Sequence, residues 1–316
     1  MNKETFAEAL ENRILLFDGA MGTEIQRYEP KSEDFPDGKD GFNDGLSTTK
    51  PEWIKEIHRK YLTAGADCIE TNTFGSNKIK LDEYGFGSQT VELNQKNAEL
   101  ARSVCDEFTD RQRFVVGSMG PTGYLPSSND TDLGQMPLSE IRDAFELQAE
   151  GLIKGTADAL LIETSQDILE VKLAVEASHI AMEKTGKKVT LISNVTLDQY
   201  GKMLLGTNVQ SAYTTVSEMG IDVFGLNCST GPIEMEPSIQ WLNDQKHKPL
   251  LVVPNAGMPE NVGGQAVYKM TPEKMASALN SFIEEYPQIN IIGGCCGTNS
   301  EHIQQLRKII DQQKKD

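Results

Sequence analysis

Apolar and β-branched residues gather in eight short runs, at 14–17, 67–71, 114–117, 159–163, 189–194, 221–227, 250–254 and 289–292, each giving way to a polar or glycine-bearing turn. Runs this short, without alternating polar positions, predict strands covered on both faces of a sheet. Between them, apolar residues recur at helical spacing. Ile168, Val171 and Val175 form such a stripe after Asp167, most simply core packing against the sheet. Continuous strands alternating with amphipathic helices predict a parallel sheet with right-handed crossovers, and eight such units predict a single-domain α/β fold, the (βα)8 TIM barrel.

Helix starts carry local signals. Thr49-Lys-Pro-Glu52 and Thr298-Asn-Ser-Glu301 each set a hydroxyl three residues before a carboxylate, the pattern of a capping box, and Thr271-Pro272 puts a cap before a first-turn proline. The connection at about 24–49 is long and acidic and holds Pro30 and Pro36. Its length suits a lid over the strand ends or an irregular surface insertion, and the lid is the favoured reading. The tail at 311–316 reads as a frayed end.

At 316 residues, 38% of them hydrophobic, the chain can bury a substantial core. No apolar run approaches a membrane span, and residues 1–9 lack the basic-then-apolar layout of a signal peptide, so a cytoplasmic protein is expected. Five cysteines, an odd number, argue for reduced thiols over a disulfide framework. A net charge of −17 speaks against broad contact with nucleic acid or an anionic membrane.

Chemistry concentrates where the predicted strands end. In a closed barrel all eight ends converge on one rim, the face where barrel enzymes keep their active sites. The last run leads into Gly293-Gly-Cys-Cys-Gly-Thr298, and the sixth into Asn227-Cys228. Any one cysteine fits a small buried apolar residue before it fits a ligand, and Cys68 and Cys105 are read so. The vicinal pair differs. On an extended strand Cys295 and Cys296 would point to opposite faces, and the glycines around them permit the turn that brings both to one centre. With Cys228 they would make a sulfur-rich site for a soft or borderline metal, zinc first, although no CxxC spacing points to it. Three thiolates leave a fourth position open, which an incoming thiol could take. None of His58, His179, His247 and His302 is placed to fill it. Gly19 and Ala20 lie where the chain turns after the first run, so their N–H groups could cradle a carboxylate, and Asp18 and Glu163 could receive an ammonium.

DGAMGTE at 18–24, IETNTFGSN at 69–77, GSMGPTG at 117–123, LIETSQD at 161–167, GLNCSTGP at 225–232, PNAG at 254–257 and GGCCGT at 293–298 occur in this order. Together they resemble the zinc-dependent homocysteine S-methyltransferase family, over nearly the whole chain. The resemblance implies a (βα)8 barrel across 1–316, zinc held by Cys228, Cys295 and Cys296, and homocysteine contacts at Asp18, Gly19, Ala20 and Glu163. Asn72, Asn227 and Asn255 occupy matching motif positions and are carried as rim residues. The implied reaction is attack of a zinc-activated homocysteine thiolate on a methyl group, giving methionine.

Phe42-Asn-Asp-Gly-Leu46, residues 51–58 and residues 64–74 are most similar to the homocysteine-binding module of cobalamin-dependent methionine synthases. That likeness implies methylcobalamin or another methylcorrinoid on a partner protein as donor. Alternatives are a small donor such as S-methylmethionine or betaine, a different thiol acceptor, a zinc- and homocysteine-binding module inactive without its partner, and a metal-free barrel lyase with incidental cysteines.

Overall fold

The computed structural model describes residues 4–263 and 265–313. Its strands are β1 (Leu15–Leu16), β2 (Cys68–Glu70), β3 (Phe114–Met119), β4 (Ala159–Ser165), β5 (Thr190–Val195), β6 (Val223–Asn227), β7 (Leu250–Val253), β8 (Glu260–Val262), β9 (Gln265–Val267) and β10 (Ile289–Ile292). Eight of them pair in parallel in the order β1-β10-β7-β6-β5-β4-β3-β2. A helix follows each before the next barrel strand, so the predicted (βα)8 barrel is the observed fold. The hairpin of β8 and β9 was not expected; β8 is wholly exposed and has no apolar run to announce it.

The pleat sorts side chains into two cores. Leu15, Phe17, Cys68, Phe114, Val116, Ala159, Leu161, Ile192, Val223, Leu251 and Ile291 fill the barrel, and Phe6, Ala9 and Leu10 of the helix Phe6–Asn12 close its lower end. Alternate residues such as Leu16, Ile69, Val115, Leu160 and Ile162 face the outer helices. Cys68 and Cys105 are buried, free thiols within these cores, as read from the chain. The stripe after Asp167 also holds: Val171 and Val175 are buried, and Asp167 caps the helix by accepting from Leu169 N.

Closure between β1 and β2 has no ladder of its own. Asp67 supplies it: its N–H donates to Leu16 O at 2.7 Å, and its Oδ2 accepts from Leu16 N at 3.0 Å and Arg307 Nη1 at 3.0 Å. Arg111 and Arg113 stand 3.6 and 3.9 Å from the other oxygen.

Segment 24–49 differs from the expected lid. Short helical turns carry Phe35, Phe42 and Leu46 into the core. Phe42 stacks on Tyr84 with centroids 4.7 Å apart. Asn72 Nδ2 donates to Asn43 O at 2.8 Å, and Gly75 N to Asp44 Oδ1 at 3.0 Å, so the segment is seated against the β2 loop. Two predicted caps also move. Lys50, not Thr49, precedes the helix Pro51–Ala64, with no side-chain cap. The last helix, Ser300–Gln313, is capped by Asn299 Oδ1, which accepts from Glu301 N and His302 N. Thr271 caps its helix as expected. In the tail, 311–313 are helical and 314–316 lie outside the described residues. No helix among the described residues is long and apolar enough to cross a membrane.

Two outcomes follow. Asp67→Ala leaves buried arginines without their counter-charge and costs about 3–5 kcal/mol, read from the urea midpoint; Asp67→Asn keeps an acceptor for Leu16 N and costs less. His58 is fully buried, neither ring nitrogen has a hydrogen-bond partner among the described residues, and burial lowers its pKa to about 3. The unfolded chain therefore takes up this proton near pH 6.5 and the folded chain does not. Its contribution is intact above that pH and is lost on acidification at about 1.4 kcal/mol per pH unit. Stability of His58→Leu, followed from pH 7 to pH 4, should lack that share of the acid slope.

Candidate metal and substrate site

Continuing the inward-facing ladder by one pleat changes its chemistry. Two residues beyond Cys68, Val116, Leu161, Ile192 and Gly225 stand Glu70, Ser118, Glu163, Asn194 and Asn227. The barrel interior thus turns from apolar to polar at its C-terminal end, on five neighbouring strands. Glu163 Oε1 accepts from Ser118 Oγ at 2.5 Å and Oε2 from Asn227 Nδ2 at 3.1 Å. Asp18 Oδ2 accepts from Glu70 N at 3.1 Å across the seam. Burial raises the pKa of Asp18, Glu70 and Glu163, and the charge of Glu163 adds to the rise at the other two. Glu70 belongs to this group, although the sequence reading left it out.

The three predicted thiols come together. Sγ of Cys228, Cys295 and Cys296 all lie within 4.8 Å of one another, with Cys228 and Cys296 3.7 Å apart, and no His, Asp or Glu joins them among the described residues. Backbone geometry brings this about. β10 ends at Ile292, so the vicinal pair sits in a turn, and Gly297 takes φ 78° with Tyr268 Cγ 2.3 Å from where a Cβ would stand. At the end of β6, Cys228 and Ser229 take φ 59° and 61°, left-handed values that are uncommon outside glycine. Thr164, directly after Glu163, does the same at φ 56°. Such strain persists only where surrounding bonds over-determine it. Asn227 supplies them, accepting from Thr164 N and donating to Thr164 Oγ1, both at 3.0 Å.

Hydrogen bonds from Cys228, Cys295 and the Tyr268 phenol hold Cys296 as a thiolate, its pKa down to about 3, and the same sharing pushes Cys295 well up. Tyr268 follows the β8–β9 hairpin, and no motif in the chain marked it. Asn255 Oδ1 accepts from Cys296 N at 3.1 Å, fixing the thiol loop. Asn72, tied to segment 24–49, takes no part among these contacts.

Gly19 and Ala20 are at the turn after β1. A Cβ on Gly19 would lie 2.8 Å from the Tyr61 ring and 2.9 Å from Thr298 Oγ1, so only glycine fits. Ala20 N already donates to Thr298 Oγ1 at 3.3 Å, and Thr298 Oγ1 donates to Cys295 O at 2.7 Å. Thr298, read from the chain as a helix cap, instead bridges the first turn to the cysteine loop. A carboxylate bound at Ala20 would have to replace that long bond.

Thiolates about 2.3 Å from a zinc ion stand about 3.8 Å apart in a tetrahedron, close to the Cys228–Cys296 separation, and three sulfurs suit that metal. The residues present therefore fit zinc. The large cavity of about 1280 Å³ around the helix Phe6–Asn12 is at the opposite end of the barrel and brings no comparable set of ligands together among the described residues.

Comparison with known proteins agrees with this architecture. The family model described as homocysteine S-methyltransferase matches residues 15–310. The chain is 41% identical over 305 residues to methionine synthase of Mycobacterium tuberculosis, covering 96% of this chain and 25% of that protein. Methionine synthase of Mycobacterium leprae matches with the same identity and coverage. The chain thus spans about a quarter of the length of these relatives. Among solved structures, the metallated form of the homocysteine methyltransferase MmuM from Escherichia coli superposes with a TM-score of 0.71 at 22% identity, covering 93% of this chain and 96% of that one. This last likeness is one of fold.

Proposed function

The chain belongs to the homocysteine S-methyltransferase family, and we propose that it transfers a methyl group to the sulfur of homocysteine, giving methionine, at a zinc site formed by Cys228, Cys295 and Cys296. The convergence of three sulfurs within 4.8 Å at the C-terminal rim carries the reading. Bound there, zinc would lower the pKa of an incoming thiol so that it reacts as a thiolate near neutral pH.

The remaining work falls to this chain's residues. Asp18 and Glu163 are buried acceptors with raised pKa, and a substrate ammonium would return them to the charged form. The turn at Gly19 and Ala20 offers N–H groups to the substrate carboxylate, with Thr298 as the group displaced. Asn227 and Asn255 hold Glu163 and Cys296 in place. In the transfer, a bond forms from sulfur to the methyl carbon, the bond from that carbon to its carrier breaks, and the thiol proton is released to solvent.

The donor we propose is a methylcorrinoid on a partner protein. Exposed apolar side chains at the rim support a docking surface: Tyr200, Leu204 and Leu205 after β5, Ile233 after β6, and Met258 and Val262 after β7. The matched region in the curated relatives is a quarter of a longer protein, which also suits a module that works with others.

Metal analysis should find about one zinc per chain, and Cys295→Ala should lose it while the circular dichroism stays that of a folded barrel. Full metal in that variant would remove the three thiols from the site. For the donor, methylcobalamin, S-methylmethionine and betaine are compared with homocysteine as acceptor and methionine as readout. Methionine from methylcobalamin is the expected result. Turnover with a small donor alone points to the alternative, and none with any donor points to a module dependent on its partner.

A further inference from the structure

Glu70 has no role in the proposal above. It stands two residues beyond Cys68, an inner-core residue, so the alternation of β2 turns its side chain into the barrel, where Glu163 also points from β4. Its carboxyl lies close enough to Glu163 and Asp18 for their charges to add to the effect of burial in raising its pKa, and its N–H donates to Asp18 Oδ2 at 3.1 Å. Three carboxyl groups from β2, β4 and the end of β1 therefore gather in one place, with Asp18 and Glu163 buried and Glu70 part-buried at its edge. No basic side chain is among the groups that act most strongly on them. Like charges gathered away from water without a counter-charge are costly.

A second observation lies on the next strand. Asn194 is level with Glu163, since Ile162 pairs with Ser193, and it is 1% exposed. Its Oδ1 has no hydrogen-bond partner among the described residues and sits over Gly225, where a Cβ would be 2.1 Å away. A buried acceptor left open beside uncompensated carboxyls marks a place for a donor that arrives with a ligand.

We propose that Glu70 is a substrate-binding carboxylate that, with Asp18 and Glu163, selects thiols bearing a primary ammonium. Such an ammonium has three N–H donors to share among these carboxyl groups and the open Asn194 Oδ1, and each N-methylation removes one. A thiol lacking the amine leaves all three acids uncompensated. The assignment rests on the homocysteine reading and names what the site discriminates.

The test is calorimetric and needs no methyl donor. Zinc-loaded protein is titrated with homocysteine and with 4-mercaptobutanoate, which keeps the thiol and carboxylate and lacks the ammonium. The wild type should prefer homocysteine. Glu70→Gln should weaken homocysteine about tenfold or more, the scale of a charge-assisted hydrogen bond, and change 4-mercaptobutanoate by less than about twofold. Its melting temperature should not fall, because a repelling neighbour is gone. Glu70→Asp should recover part of the preference, and its titration carries the test if Glu70→Gln does not fold. Equal losses for both thiols, or an unchanged affinity for homocysteine, overturn the assignment. A wild type that binds neither thiol overturns the homocysteine reading and this proposal together, a result distinct from a wild type and Glu70→Gln that bind homocysteine equally.

Discussion

Closure of the barrel between β1 and β2 is the constraint on which the site depends. β1 has only two residues, paired on one side with Ile291 and Ile292 of β10. On its other side a carboxylate replaces the ladder: Asp67 accepts from Leu16 N while Arg307 neutralises it. Asp18 and Gly19 follow β1 directly, and Glu70 follows Asp67 by three residues. A slip of one residue at the seam would turn side chains to the opposite face and part Asp18 from Glu70. Buried ion pairs add little net stability, yet removing one partner is costly, which suits a pin of register.

Above that pin the barrel interior divides by height. Below, Leu15, Phe114, Val116 and Leu161 form a dry core in which a charge would be costly. One pleat higher, Glu70, Ser118, Glu163, Asn194 and Asn227 replace them. The low-dielectric floor is why the acids above it titrate so far from their usual range. The same layer holds left-handed Thr164, Cys228 and Ser229. Strain and uncompensated charge are both stability forgone where a ligand is to be met.

The loops that complete the rim are held from outside it. Segment 24–49 is anchored by Phe42 against Tyr84 and by Asp44 on Gly75 N. After β3, Thr122 and Ser127 are fixed by Glu170 in the helix Ile168–Thr185 that follows β4 and by Asp167 at its N-cap. The rim is thereby built on packed elements, and close placement of reacting groups needs such support.

The eight-unit rhythm was legible in the chain because a buried parallel strand has an apolar signature within four to seven residues. So were the three sulfurs, since a vicinal cysteine pair among glycines implies a turn. Seven motifs in order named the family. Glu70, Tyr268 and Thr298 were not legible as site residues. Glu70 looks like any strand-end acid until Cys68 is seen to face inward; Tyr268 follows a hairpin without hydrophobic pattern; and Thr298 fits a cap that Asn299 in fact supplies. Local periodicity determines which face a residue takes, and the chain alone carries that much. Which faces meet was decided by closure, which joins Leu16 to Asp67 and Cys228 to Cys296 across 51 and 68 residues, and hydrogen bonds of that span leave no trace in local spacing.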